Sequence, residues 1–301
     1  MVAADSPDAG NHASVDDSED DVFRLQRLRH YLHQFPLSLP GLTFSEVLHD
    51  SDNAVIFLAE NADGLTVAVK RFKFDARKMD VVLLEYFLLA TRALGLLGQR
   101  SLVRLLDAGV EADAIYMVME YIRGETLKHY LDGETLPPLA QRLDWFGELV
   151  DAVGGMHSLG LLHRDLKTSN ILVREDGSLV LLDFGMETRL LLEAGFLQEG
   201  EVYCTPYYIS PERIMGEMAD ESSDFYALGV ILYELLTGHK PYESLQLEEL
   251  LKKHVLAPIP ELPDNLRAFQ PLIDGLLAKF SENRLQSSCE VVRLLHESRE
   301  E

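Results

Sequence analysis

One stretch constrains this chain more than any other. It is His163-Arg164-Asp165-Leu166-Lys167-Thr168-Ser169-Asn170, followed thirteen positions later by Asp183-Phe184-Gly185. Between them run Ile171-Leu172-Val173, then Glu175-Asp176-Gly177, then Leu179-Val180-Leu181-Leu182. Two short apolar runs around an Asp-Gly pair read as a β-hairpin. Such a hairpin holds two carboxylates and an amide close together: Asp165 and Asn170 before it, Asp183 after it. Carboxylate and amide oxygens suit magnesium, which keeps water ligands and shares its shell with substrate phosphates. A carboxylate left off the metal would orient a hydroxyl nucleophile, and Lys167 would neutralise charge on a phosphoryl group in transfer.

The pattern H-R-D-L-K-x-x-N followed by D-F-G resembles the protein kinases. Asp-Phe-Gly alone is common, but the two motifs at this spacing are specific. A purely structural hairpin with incidental acids is the weaker reading. In that family a lysine two residues after the Asp goes with serine/threonine specificity, and Lys167 stands there. The resemblance is to the eukaryotic-like (Hanks-type) kinases of bacteria. It implies an α+β, bilobal protein-kinase fold over residues 42–296: a small β-rich N-lobe (42–119), a hinge (120–124) and a larger helical C-lobe (125–296). It also implies ATP with magnesium or manganese. Asn170 and Asp183 would hold metal, and Asp165 would orient the hydroxyl and take its proton. Lys167 and Lys70 would stabilise phosphoryl charge.

The 301 residues suit one two-lobed domain with a short extension. At 47% hydrophobic the chain can bury a substantial core, yet no apolar run approaches the roughly 20 residues of a membrane span. Residues 1–21 show no signal-peptide pattern. Two cysteines, Cys204 and Cys289, make no disulfide framework, so a reducing, cytoplasmic setting is expected. A net charge of −23 argues against nucleic acid or an anionic membrane as partner. A protein substrate is the expected partner.

Residues 1–21 carry seven acids and no Lys or Arg, and read as a disordered tail. Over 22–34, Leu25, Leu28 and Leu32 recur at helical spacing, with Phe35 next in the series and Pro36 ending it. A helix packed on the N-lobe, with a linker to residue 41, is expected. The acidic tail or residues 22–35 could instead meet a partner. Residues 43–69 read as strands ending in Val-Ala-Val-Lys, which resembles the family's β3 lysine motif and makes Lys70 the phosphate-binding lysine. By the same resemblance, Ile56, Ala68 and Leu172 sandwich the adenine. The backbone of Glu120 and Ile122 binds its edge, Thr126 lies near the ribose, and His49, Ser51 and Ala54 fall in the phosphate-covering loop.

Two departures stand out. The loop reads His49-Asp50-Ser51-Asp52-Asn53-Ala54, with no glycine and two added acids. Glycines let amides approach phosphates and take positive φ, so a weaker or altered nucleotide grip is expected. Residues 80–97 read as the αC helix, whose glutamate pairs with the β3 lysine in active kinases. Counting back from Leu102-Val103, taken as the start of β4, puts Ala90 there. Glu85, five residues earlier, lies about 140° around the helix.

The C-terminal part turns helical from Leu139, with Gly160 as a plausible helix stop. Cys204-Thr205-Pro206-Tyr207-Tyr208-Ile209-Ser210-Pro211-Glu212 resembles the family's activation-segment end. It implies Thr205 at the substrate-facing loop and a buried Glu212–Arg284 pair. Asp224 would brace the catalytic loop. Arg164 is kept although residues 190–202 hold no Ser, Thr or Tyr, so obligatory phosphorylation there is not expected. The expected activity is ATP-dependent serine/threonine protein phosphorylation. The rivals are a pseudokinase scaffold, motivated by the two departures, and a small-molecule kinase, opposed by the full activation segment.

Overall fold

A computed structural model describes residues 16–183 and 206–300; the Phe184-Gly185 pair and Thr205 lie outside the described residues. The chain divides into two compact units. One comprises Met1–Arg77 and Asp107–Tyr121, the other Lys78–Leu106 and Ile122–Glu301.

The first unit is built on an antiparallel sheet in the order β1-β2-β3-β5-β4. The strands are β1 (Leu42–Asp50), β2 (Ala54–Asn61), β3 (Thr66–Asp75), β4 (Leu105–Glu111, entering this unit at Asp107) and β5 (Ala114–Glu120). The β2–β3 turn closes because Asn61 Oδ1 accepts from the amides of Asp63 (3.0 Å) and Leu65 (2.8 Å) while Gly64 takes φ +77°. Alternation along β2 and β3 sends Val55, Phe57, Ala59, Val67 and Val69 into one core. Leu28 of α1 (Asp16–Gln34) and Leu37 and Leu39 of the following linker close that core.

The helix starts at Asp16, six positions before the spacing-based start, because helix N-termini favour acids that composition alone scores as disorder. Leu25, read as part of the apolar stripe, is exposed, and Tyr31 packs in its stead beside Leu32 and Phe35. The Tyr31 hydroxyl donates to Asp50 (2.7 Å), which also pairs with Lys73 (2.6 Å). The Phe35 ring lies under Arg71 (5.3 Å) and Lys73 (5.0 Å). Residues opposite one another in register share a face. The other face therefore carries Ile56, Lys70 and Met117 in one row, and Leu58, Ala68 and Met119 in the next.

The second unit opens with α2 (Val81–Leu97), capped by Asp80, whose carboxylate accepts from Val82 (2.9 Å) and Leu83 (3.1 Å). Gly98 at φ +63° ends it. Leu83, Phe87, Ala90 and Leu94 are buried and Glu85 is exposed. Leu102 and Val103 do not begin β4, which starts at Leu105. They pair instead with Leu181, so the count that placed Ala90 loses its anchor.

A small sheet follows, β6 (Gly124–Thr126), β7 (Ile171–Arg174) and β8 (Leu179–Leu181), with the expected turn at Gly177 (φ +85°). The helices are α3 (Leu127–Leu131), α4 (Leu139–Ser158), α5 (Pro211–Ile214), α6 (Glu221–Thr237), α7 (Leu247–Leu256), α8 (Gln270–Leu276) and α9 (Ser288–Glu300). Nearly every side chain of α6 is buried, which makes it the central helix of this unit. Gly229 allows α8 to approach: a Cβ there would stand 2.7 Å from Leu276 Cβ.

Leu28→Ala is expected to destabilise the chain by about 2–4 kcal/mol and Leu25→Ala by about 0.5 or less. Chemical denaturation of the two variants checks this, and equal losses would mean that α1 is not docked through Leu28.

Candidate active site

The loop from His163 to Asn170 hangs from one buried carboxylate. Asp224, in the first turn of α6, accepts the amide N–H of His163 (2.8 Å) and of Arg164 (2.8 Å). His157, at the end of α4, meets it at 2.9 Å through Nε2. Burial alone would push this carboxyl up. The hydrogen bonds from His157 and from the His163 amide outweigh that and hold it below its ordinary value. Arg164 takes φ +63°, a conformation that non-glycine residues seldom adopt, and Arg213 donates to its carbonyl (2.7 Å).

The His163 ring is fully buried and lies 3.0 Å from the Leu182 carbonyl through Nε2. A carbonyl only accepts, so Nε2 carries the proton and Nδ1 faces the Asp165 amide (3.4 Å). Leu182 in turn donates its own amide to the Asn170 carbonyl (2.8 Å). The residue after Leu182 is Asp183, at φ +50°. The β7–β8 hairpin thus returns the chain to the catalytic loop just where Asp183 emerges.

Within the loop, Asp165 Oδ2 accepts from Lys167 Nζ (2.6 Å) and from Asn170 Nδ2 (3.2 Å). Asn170 also donates to the Asp165 carbonyl (3.0 Å). Asp165, Lys167 and Asn170, three of the residues read from the motif, therefore meet in one place through three hydrogen bonds. Among the described residues no three His, Cys, Asp or Glu side chains form a ready-made metal cage.

The sequence pattern of the protein kinase domain matches residues 51–294. The chain belongs to the protein kinase family. It is 33% identical over 208 residues to the serine/threonine-protein kinase PrkC of Bacillus subtilis, covering 69% of this chain and 32% of that protein. It is 32% identical to a probable serine/threonine-protein kinase PknB of Lactococcus lactis, over 77% of this chain and 35% of the relative. With the serine/threonine-protein kinase PknL of Mycobacterium bovis it shares 35% identity over 68% of this chain and 51% of that one. The kinase chain thus spans about a third to a half of the length of these relatives.

The remaining residues implied by the resemblance sort by unit. In the first, His49 pairs with Ile56 and Ile56 with Lys70, so these three share the sheet face opposite α1 with Ala54 and Ala68. Lys70 is buried, with its ammonium 5.6 Å from the Phe72 ring centroid. Glu120 ends β5 opposite Val67. In the second, Thr126 pairs with Leu172 across β6 and β7, and Ile122 is half-buried ahead of them.

The glycine-free loop of this kinase closes as a tight turn. Ser51 N–H donates to the Ala54 carbonyl (3.0 Å), Ala54 N–H to Ser51 Oγ (3.2 Å), and Lys73 N–H to the Asn53 carbonyl (2.8 Å). Among the described residues the only non-glycine positive φ values are at Ala112, Arg164 and Asp183, so this turn needs no glycine and no left-handed Asp52 or Asn53. The negative charge of Asp50 is met by Lys73.

Some site residues escaped sequence reading. His157, Arg213 and Lys240 are linked to the loop only by tertiary contacts. Glu234 did leave a signal: an acid inside an apolar helix must find a partner.

Glu212 and Arg284 pair through two bonds of 2.9 Å, and Ser223 adds a third to Glu212 (2.7 Å). Burial alone would raise the Glu212 carboxyl, but Arg284 and Ser223 hold it down at about 2, against an ordinary 4.5. A carboxyl lowered on folding stabilises above its unfolded value and loses that contribution as pH falls toward the folded one. Glu212→Gln is expected to cost about 3–5 kcal/mol at neutral pH. The gap from wild type should shrink between pH 4.5 and 2, because only wild type titrates there. Urea unfolding across that window tests this; a gap that stays constant would remove the ion pair as its cause.

Proposed function

We propose that the chain is an ATP-dependent serine/threonine protein kinase that transfers the γ-phosphoryl group of ATP to protein hydroxyls. The observation that carries this reading is the Asp165 carboxylate, held by Lys167 and Asn170 on a loop hung from Asp224. With Oδ2 committed to two donors, Oδ1 is the atom left to orient a hydroxyl and take its proton. The Lys167 ammonium stands 2.6 Å away, ready to offset charge on the transferred group.

Asn170 turns its amide nitrogen to Asp165, so its oxygen, together with the Asp183 carboxylate, would hold magnesium or manganese. The metal–nucleotide complex supplies the phosphoryl group and neutralises its charge. Lys70 would bind the α- and β-phosphates. Ile56, Ala68 and Leu172 would flank the adenine, with Glu120, Ile122 and Thr126 at its edge and ribose. Catalysis of this kind is positioning and electrostatics. The kinase domain extends over residues 42–296, and Thr205 meets the substrate. The charge of −23 favours a protein acceptor over nucleic acid or an anionic membrane, and two cysteines that make no disulfide framework support a cytoplasmic setting. Among the described residues no helix is long and apolar enough to cross a membrane.

One observation favours a second reading, a nucleotide-poor scaffold. The Ser51–Ala54 turn uses the amides of both residues on itself, where a phosphate-binding loop presents them outward. Transfer of labelled phosphate from ATP with magnesium, to the chain itself and to a generic basic protein, decides between the two. Label on protein is expected, with kcat lowered about 10²- to 10⁴-fold in Asp165→Asn and abolished in Asp183→Asn and Lys70→Met. Absence of label on every acceptor, together with absent nucleotide binding, would leave the scaffold reading. Label on a small hydroxylated compound in place of protein would instead mark a small-molecule kinase.

A further inference from the structure

Glu234 interrupts the apolar sequence of α6 and is buried. Its Oε2 accepts from the Tyr208 hydroxyl (2.7 Å) and its Oε1 from Lys240 Nζ (2.8 Å). The same Tyr208 hydroxyl lies 3.0 Å from Thr168 Oγ1. A hydroxyl has one proton to give and an ionised carboxylate only accepts. Tyr208 therefore donates to Glu234, and Thr168 must donate to Tyr208. Burial, and then the Glu234 charge, pushes the Tyr208 hydroxyl far above its ordinary range, so it remains a donor. The bonds run in one direction, Thr168 to Tyr208 to Glu234, and the Lys240 ammonium closes the series. That ammonium also sits over the rings of Tyr207 (5.3 Å) and Tyr208 (5.9 Å).

The series ends on the active site. Thr168 opens the 3₁₀ turn Thr168–Asn170, and Asn170 closes that turn while donating to the Asp165 carboxylate. Burying a charge is costly unless it is paired, and Lys240 supplies the partner for Glu234 at 2.8 Å. Without Lys240 the Glu234 carboxylate loses the partner that holds it toward the Tyr208 hydroxyl. We infer that Lys240 is a positioning residue for phosphoryl transfer: acting through Glu234 and Tyr208, it fixes the Thr168–Asn170 turn and with it the Asp165 carboxylate. The inference rests on the kinase reading above.

The test compares Lys240→Met, Lys240→Arg, Tyr208→Phe and the Lys240→Met/Tyr208→Phe double variant. Lys252→Met, on the exposed face of α7, is the control. Two readouts are taken: phosphate transfer, and hydrogen exchange of the segment 166–172. Lys240→Met is expected to lower kcat about ten- to a hundredfold with KM for ATP within about twofold, and to speed exchange in that segment. Lys240→Arg should restore most of both. The double variant should lose no more than the worse single, because the two residues act in series.

An unchanged kcat and exchange in Lys240→Met would overturn the inference. So would additive losses in the double variant, which would mean that Lys240 acts independently of Tyr208. A wild-type chain that transfers no phosphate would refute the kinase reading, and the exchange comparison would then decide the tie by itself.

Discussion

The Asp224 carboxylate is the interaction on which the site depends. It is buried, and it accepts two consecutive backbone amides of the catalytic loop together with a histidine from α4. Arg164, whose amide is the second of these donors, takes φ +63°. The strain there is held by bonds from three directions: Asp224, Arg213 and the His163 ring that reaches Leu182. Everything the loop offers chemically, from Asp165 to Asn170, begins one residue later. Asp224 is itself buried in the first turn of α6, a helix buried nearly all round.

Charge is arranged with the same economy. The chain carries a net −23, yet among the described residues the buried acids are each matched. Glu212 meets Arg284, Glu234 meets Lys240 and Tyr208, and Asp224 meets His157 and two amides. An unmatched carboxylate in such places would cost several kcal/mol, so the surplus acids remain where water solvates them. Arg284 adds a contact of its own, lying 5.0 Å over the Tyr226 ring of α6. The Glu212 pair thereby ties the end of the activation segment to the central helix that carries Asp224. The Glu234 pair makes the same connection one segment earlier, through Tyr208.

The sheet of the first unit divides its work by face. One face is sealed by α1 and the linker after it, through Leu28, Leu37, Leu39 and the Phe35 ring lying under Arg71 and Lys73. The other keeps Lys70 in a row with Ile56 and Met117. Strand alternation makes the two roles inseparable: the residues that pack against α1 dictate which ones face away from it. The helix ahead of the kinase match at residue 51 is therefore part of how Lys70 is presented.

How much was legible beforehand follows from the range of the interactions. The hairpin after Asn170, the αC helix capped by Asp80 and the tight turn at Gly64 are local, and residues within a few positions of one another determine them. The two motifs, Lys70 and the charge balance belong to the sequence alone. The family they indicate needed no structure. What pattern could not carry was anything set by partners far along the chain. The start of α1 at Asp16 was hidden by an acidic composition that disorder and helix N-termini share. Leu102 and Val103 read as a strand start because apolar runs look alike whichever strand they join. Only the pairing with Leu181 showed otherwise. The Lys240–Glu234–Tyr208–Thr168 series joins four residues drawn from 73 positions of chain, with no spacing that periodicity would detect. The sequence by itself determined the family and the motif residues that mark it. Tertiary structure alone decided which buried charges meet, because a counter-charge is chosen by proximity in space, and burial makes that choice obligatory.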